Sequence, residues 1–102
     1  MKDKRSIIDI EIGVVADEVG LTRFRFAMSD KLRRKRLAGR GGWNKPPYEN
    51  GVIQGGCTVA QLRSMLFSHL EKGDMVDIAN FAMMIWNREH PTNEVDEDGK
   101  YK

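Results

Sequence analysis

Residues 39 to 56, GRGGWNKPPYENGVIQGG, constrain this chain more than any other stretch. They contain six glycines and two prolines, so no continuous helix runs through them. The segment divides a 102-residue chain into an upstream part and a helical downstream part. A loop this long inside a small domain is usually functional or disordered. Trp43, Tyr48 and Ile53 are apolar anchors for it, so partial order pinned to a core is expected.

Beyond the loop the punctuation is clear. Thr58 with Gln61 forms a capping box, in which each residue satisfies the other's free backbone N–H. The helix it opens reaches about Glu71 and carries Val59, Leu62, Met65, Leu66 and Leu70 on one face. Lys72-Gly73 ends it, because glycine adopts the left-handed conformation that closes a helix. Asp74 caps a second helix from about Met75 to Arg88. The short connection makes the two an antiparallel hairpin. The second helix is apolar nearly all round, so it must be covered on several sides. One partner helix cannot do that, which predicts a homo-oligomer, most simply a dimer. The Asn80–Trp86 region, including Phe81, then lies at or near the interface.

Upstream of the loop, Ile8, Ile10, Ile12 and Val14 alternate with Asp9 and Glu11. That period of two predicts a half-buried strand. Phe24, Phe26 and Met28 alternate with Arg23 and Arg25, which suggests a second strand and a hairpin. The competing reading is a helix from about Asp17 to Leu37, because Phe24, Met28 and Leu32 also fit a spacing of four. On the first reading Ser29 and Asp30 open a basic helix that stops at Gly39. The predicted fold is mainly α (α+β): an N-terminal β-hairpin or strand over 1–28, then a basic helix and an antiparallel helical hairpin over 29–90. The 39–56 loop lies inside the helical part, and a polar, frayed tail occupies 91–102.

The composition excludes several functional classes. Charged residues make up 31% of the chain, and no apolar run approaches the ~20 residues that span a bilayer. Cys57 is the one cysteine, so there is no internal disulfide framework and no cysteine zinc cage. The opening MKDKRSIIDIEIG has no signal-peptide apolar region. A reducing cytoplasm is the expected setting.

Three constellations carry chemistry. The first is basic: Lys31, Arg33, Arg34, Lys35, Arg36, Arg40 and Lys45 lie between positions 31 and 45 with no acid among them. Such a cluster attracts phosphate, from a nucleotide or a nucleic acid, unless it is simply a solvated face. Gly41 and Gly42 can bring backbone N–H groups to an anion. Trp43 can stack on a base, or it can close the loop as an aromatic staple. The second is acidic. Asp74 and Asp77 share a helical face and can contribute oxygens to Mg²⁺, although capping already accounts for Asp74. The third is Asn80, an amide inside an apolar stretch that needs hydrogen-bond partners if buried. His69 belongs to no recognisable constellation.

The stretch from Ser29 to Arg88 resembles a group of short phage and prophage proteins. Their pattern joins a basic helix, G-R-G-G-W-[ND], a helix, and H-x-x-K-G-D-x-x-D-[VI]-A-N-[FY]-A-M-M. The matching residues here are GRGGWN at 39–44 and HLEKGDMVDIANFAMM at 69–84. Residues 1 to 27 are then an extension outside the resemblance. The second pattern is more distantly similar to MazG-like nucleoside triphosphate pyrophosphohydrolases, which hold Mg²⁺ with two carboxylate pairs. Asp74-x-x-Asp77 is similar to one pair, and VAQLRSMLFSHLE lacks the other.

The resemblance implies a phage accessory protein in the cytoplasm of a bacterial host. The basic helix and the GRGGWN loop add the expectation that it binds a phosphate-bearing ligand, a nucleotide or a nucleic acid, or else a host protein, for instance to counter host defence, with no resident cofactor. The expected ligand residues are Arg33, Arg34, Arg36, Arg40, Gly41, Gly42, Trp43 and Lys45. The enzymatic alternative is Mg²⁺-dependent release of pyrophosphate, with the metal on Asp74 and Asp77. A ribbon-helix-helix DNA-binding regulator is a further alternative. It is disfavoured by Asp9 and Glu11, which would face phosphate on the outward side of the strand.

Overall fold

Ser29 and Asp30, expected to start a helix, lie well inside one. A computed structural model of the chain describes residues 4 to 101. Its first element, α1, runs unbroken over Lys4–Leu37. The predicted N-terminal β-hairpin at 6–28 is therefore corrected to helix, and no element boundary falls at residue 28. The alternation was incomplete: Ile7-Ile8 and Val14-Val15 put apolar residues on both parities. An isolated two-stranded ribbon is marginal in water, whereas a nucleated helix extends at the gain of one hydrogen bond per residue. The anchor for that extension is the basic part of α1, which packs on the last helix. The 34 residues make a rod of about 51 Å, most of the molecule's 61 Å long axis.

The C-terminus of α1 is explained by its sequence. Gly39 has φ 83°. Its N–H donates to Arg36 O at 3.0 Å, and the Arg40 N–H donates to Lys35 O at 2.8 Å. This is a Schellman closure with glycine in the left-handed position.

The segment 39–56 is not one continuous loop. It contains an antiparallel pair, β1 (Tyr48–Glu49) and β2 (Val52–Ile53), with Tyr48 opposite Ile53 and Glu49 opposite Val52. Asn50 and Gly51 both have positive φ, 52° and 78°, as a type I′ turn requires. Asn-Gly is the sequence signal for such a turn, so the small β element of this mainly α fold lies here. Of the three expected anchors only Trp43 reaches the core, and Tyr48 and Ile53 are exposed.

α2 (Val59–Lys72) and α3 (Met75–Glu89) form the predicted antiparallel hairpin. Thr58 Oγ1 accepts from the Gln61 N–H at 3.0 Å, and Gln61 Oε1 accepts from the Thr58 N–H at 2.8 Å. Gly73 closes α2 at φ 71°. Asp74 Oδ1 accepts from the N–H groups of Val76 and Asp77 at 3.0 and 3.1 Å.

α3 packs on α2 along one side and on the end of α1 along another. Among the described residues the buried apolar core is Leu62, Phe81 and Met84, with Leu32, Trp43, Cys57, Leu66, Met83 and Ile85 packed around it. Phe81 and Asn80 are thus buried within a single chain. A second copy is not needed to cover them, because the end of α1 supplies the second partner of α3 through Met28, Lys31 and Lys35. Trp86 stays part-exposed at the far end of α3. It stacks on His90 at 4.7 Å and meets Tyr101 edge-on at 5.1 Å. In the polar tail Val95 and Tyr101 form an isolated antiparallel bridge. Among the described residues no helix is long and apolar enough to cross a membrane.

Candidate ligand-binding site

A pocket of about 290 Å³ opens where the end of α1, the loop and the α2–α3 hairpin meet. Leu32, Leu62, Met65, Phe81 and Met84 make it apolar, and Trp43 and Cys57 close the loop side. Lys35, Arg36, Arg40, Gly41 and His69 complete its lining. Its volume lies near the lower end of the range for small-molecule sites, and its make-up, apolar walls with a few polar groups, is the usual one.

Four of the residues expected to bind a ligand meet here: Arg36, Arg40, Gly41 and Trp43. α1 delivers Arg36, and the Schellman turn at Gly39 folds Arg40 back beside it. A Cβ on Gly41 would lie 3.0 Å from the Arg36 guanidinium, so the missing side chain leaves that group its space. Neither Arg36 nor Arg40 has a carboxylate partner among the described residues.

The other expected ligand residues are placed differently. Arg34 pairs with Asp30 at 2.8 Å, one helical turn away. It lines a separate open depression of about 550 Å³ that shares Lys35 and Arg40 with the pocket. Arg33 is exposed on α1 and does not line the pocket. Gly42 and Lys45 serve the loop's own packing. A Cβ on Gly42 would come within 2.2 Å of Gly55 O, and the Lys45 carbonyl accepts from the Cys57 N–H at 3.0 Å. A Cβ on Gly56 would meet that same carbonyl at 1.9 Å. These glycines permit close backbone approach, which accounts for them without a nest for an anion.

Asp74 and Asp77 face ammonium groups. Lys31 Nζ is ion-paired with Asp74 and lies 2.9 Å from Asp77 Oδ2. Lys35 Nζ lies 2.8 Å from Asp77 Oδ1 and 5.5 Å from the Phe81 ring centre. The hydrogen bond from Lys31 holds the Asp74 carboxyl below its ordinary range, and the capped N–H of Asp77 adds to that. Burial pushes Asp77 up, and the hydrogen bonds from Lys35 and Lys31 outweigh it, so Asp77 also lies low. The bonds to Asp74 and Asp77 raise Lys31. Among the described residues no group of three His, Cys, Asp or Glu side chains is placed to hold a metal ion. The charges that the metal reading would use are already compensated by two lysines.

Asn80 is 1% exposed. Its Nδ2 donates to the Met28 carbonyl of α1 at 3.3 Å, and its Oδ1 has no hydrogen-bond partner among the described residues. It is a buried polar residue that fixes α3 against α1.

Two contributors lie outside the expected set. Arg88 Nη1 donates to Trp43 O and Cys57 O, each at 2.8 Å, with Lys45 O at 3.4 Å. One guanidinium thus ties both ends of the loop to α3 and holds the pocket's loop wall. An arginine in the last turn of a helix reads in sequence as a dipole partner, so nothing marked this role. His69 is part-buried. Its Nδ1 lies 2.8 Å from Met65 O, so that nitrogen carries the proton, and Nε2 lies 3.9 Å from Asp77 Oδ2. The ring packs on Phe81 at 4.9 Å.

Comparison of the chain with protein-family models, with curated proteins and with solved structures gives no match. The functional reading therefore rests on the geometry of the pocket.

Proposed function

We propose that this chain is a binding protein for a phosphate-bearing ligand of nucleotide size. The supporting observation is the union of an apolar, Trp43-walled pocket with two uncompensated guanidinium groups, those of Arg36 and Arg40, in its lining. An apolar slot takes a base by stacking and desolvation. Guanidinium groups take phosphate oxygens through paired N–H donors. At about 290 Å³ the space suits one base, not a duplex, which favours a free nucleotide over double-stranded DNA. Catalysis through a Mg²⁺ ion on Asp74 and Asp77 has less support, because both carboxylates are engaged by Lys31 and Lys35.

A thermal-shift panel of nucleosides, their mono-, di- and triphosphates and inorganic phosphate tests the reading. The expected result is a saturable rise in melting temperature for nucleotides, a smaller one for phosphate and none for nucleosides. Arg36→Glu with Arg40→Glu should weaken the effect at least tenfold, since each lost charge-assisted contact is worth about 1.5–3 kcal/mol. A panel with no saturable shift rejects the proposal. A response that persists undiminished in the double variant moves the site elsewhere.

A further inference from the structure

The outer face of α1 carries a second, largely apolar stripe that none of the described residues covers. Ile8, Ile12, Val15, Val19, Thr22 and Phe26 recur at alternating spacings of four and three, the a and d positions of a heptad. All six are exposed, Phe26 to 69%. At 100° per residue this stripe lies on the opposite side of α1 from Met28, Lys31 and Lys35, which engage α3. The α2–α3 hairpin therefore leaves it open.

We propose that two copies of the chain associate through this stripe, with their α1 helices antiparallel. Charge selects both the occupant and its direction. Positions 6 to 22 carry four acids and no cation, whereas positions 23 to 36 carry seven cations and one acid. A parallel pair would set the two basic ends side by side. An antiparallel pair instead sets Arg23 and Arg25 along the acidic half of the other copy and carries the cations from Lys31 to Arg36 past the end of that half, away from each other. The layers also match in that direction. Centred on position 17, Ile8 faces Phe26, Ile12 faces Thr22 and Val15 faces Val19, each an a residue against a d residue. Beside those layers Asp9 meets Arg23 and Glu11 meets Arg25, two attractive contacts made twice over, against one like-charge contact where Glu18 meets its own copy at the centre. The inner stripe, with Ile10, Val14, Leu21 and Phe24, is less suited, because Asp17 falls in its middle. In the proposed dimer the hairpins lie on the two outer sides and both pockets stay open. The association is independent of any ligand.

Sedimentation equilibrium of the full chain tests this, with circular dichroism to verify that each variant stays helical. Wild type should be a dimer that dissociates on dilution. Val15→Glu with Val19→Glu should weaken the dimer at least 100-fold. Arg23→Glu with Arg25→Glu should weaken it at least tenfold. Adding Asp9→Arg and Glu11→Arg to that pair should restore it, because the antiparallel contacts Asp9–Arg23 and Glu11–Arg25 are then exchanged in sign. In a parallel pair the same four changes would set the acid substituted at position 23 against Glu18 and the one at position 25 against Asp30, with no recovery. A monomer at all concentrations, a dimer indifferent to Val15→Glu/Val19→Glu, or a fourfold charge variant that fails to recover would each overturn the proposal.

Discussion

Asn80 and Asp77, one turn apart on α3, fix α1 by two different means. Asn80 gives a single hydrogen bond to a backbone carbonyl from a site with almost no water. Truncation to Ala should cost about 1–2 kcal/mol in denaturant unfolding, the range for a buried hydrogen bond with a small cavity. Asn80→Asp should cost more, because it sets a carboxylate against the Met28 carbonyl in a dry site. If the two variants are equally stable, the bond contributes nothing. Asp77 acts through charge. Asp74 and Asp77 are both held below 3.8 in the folded chain, so their contribution is present above about pH 3.8. It is lost as pH falls through their lowered values. Lys31 is held above 10.5, so its contribution is present below about pH 10.5 and lost as pH rises through its raised value. The helix contact should therefore be strongest between those limits. Asp77→Asn should lower stability at neutral pH and flatten its acid dependence. A variant that matches wild type in stability at both pH 7 and pH 3 would contradict this.

At the scale of elements, the loop is held by backbone approach and one arginine. Arg88→Ala leaves the Trp43 and Cys57 carbonyls without their donor and should cost about 2–3 kcal/mol, as hydrogen bonds to a charged group do. In a Trp86→Phe background the emission of Trp43 should shift to the red in that variant. An unchanged spectrum would show that the loop stands without the clasp. Helix α1 makes a complementary prediction. A Cβ at Gly13 or Gly20 meets nothing within 4 Å, so Gly20→Ala should raise helicity and stability by about 1 kcal/mol. A loss on substitution would mean that the segment is not helix.

These elements also explain which parts of the molecule are legible in the sequence. The caps at Thr58, Gly73 and Asp74 are legible because each is a local contact encoded within three residues. The convergence of Arg36, Arg40, Gly41 and Trp43 is legible as a basic, Gly-rich stretch with an aromatic. Helix α1 is easily misread because isoleucine and valine doublets satisfy both periods in part, and what decides between them is an anchor some fifty residues away in α3. The Asn-Gly turn is a local signal that the reading of 39–56 as one loop passes over. Arg88 carries no local signal, since its partners come together only when the loop and α3 close, and His69 meets Asp77 and Phe81 only across the α2–α3 hairpin.

The whole molecule joins a small core to a long helix. With Leu62, Phe81 and Met84 as its buried apolar centre, the hairpin has little apolar area to spare, and small domains of this size are marginal on burial alone. The ion pairs between α1 and α3 and the Arg88 clasp add polar fixation around the pocket. The outlying half of α1 adds exposed apolar surface that self-association would cover. Dilution below the dimer constant should then lower the melting temperature without abolishing ligand binding, because the pocket is built within one chain.

The most direct test of the binding account is an NMR titration of the isotopically labelled chain with the nucleotide that gives the largest thermal shift. The account predicts saturable shifts of the Trp43 indole N–H and of the Arg36 and Arg40 side-chain N–H groups, with the Trp86 indole unmoved. Shifts confined to Arg33 and Arg34, or spread weakly over every cation and removed by moderate salt, would contradict it and reduce the basic cluster to a solvated surface.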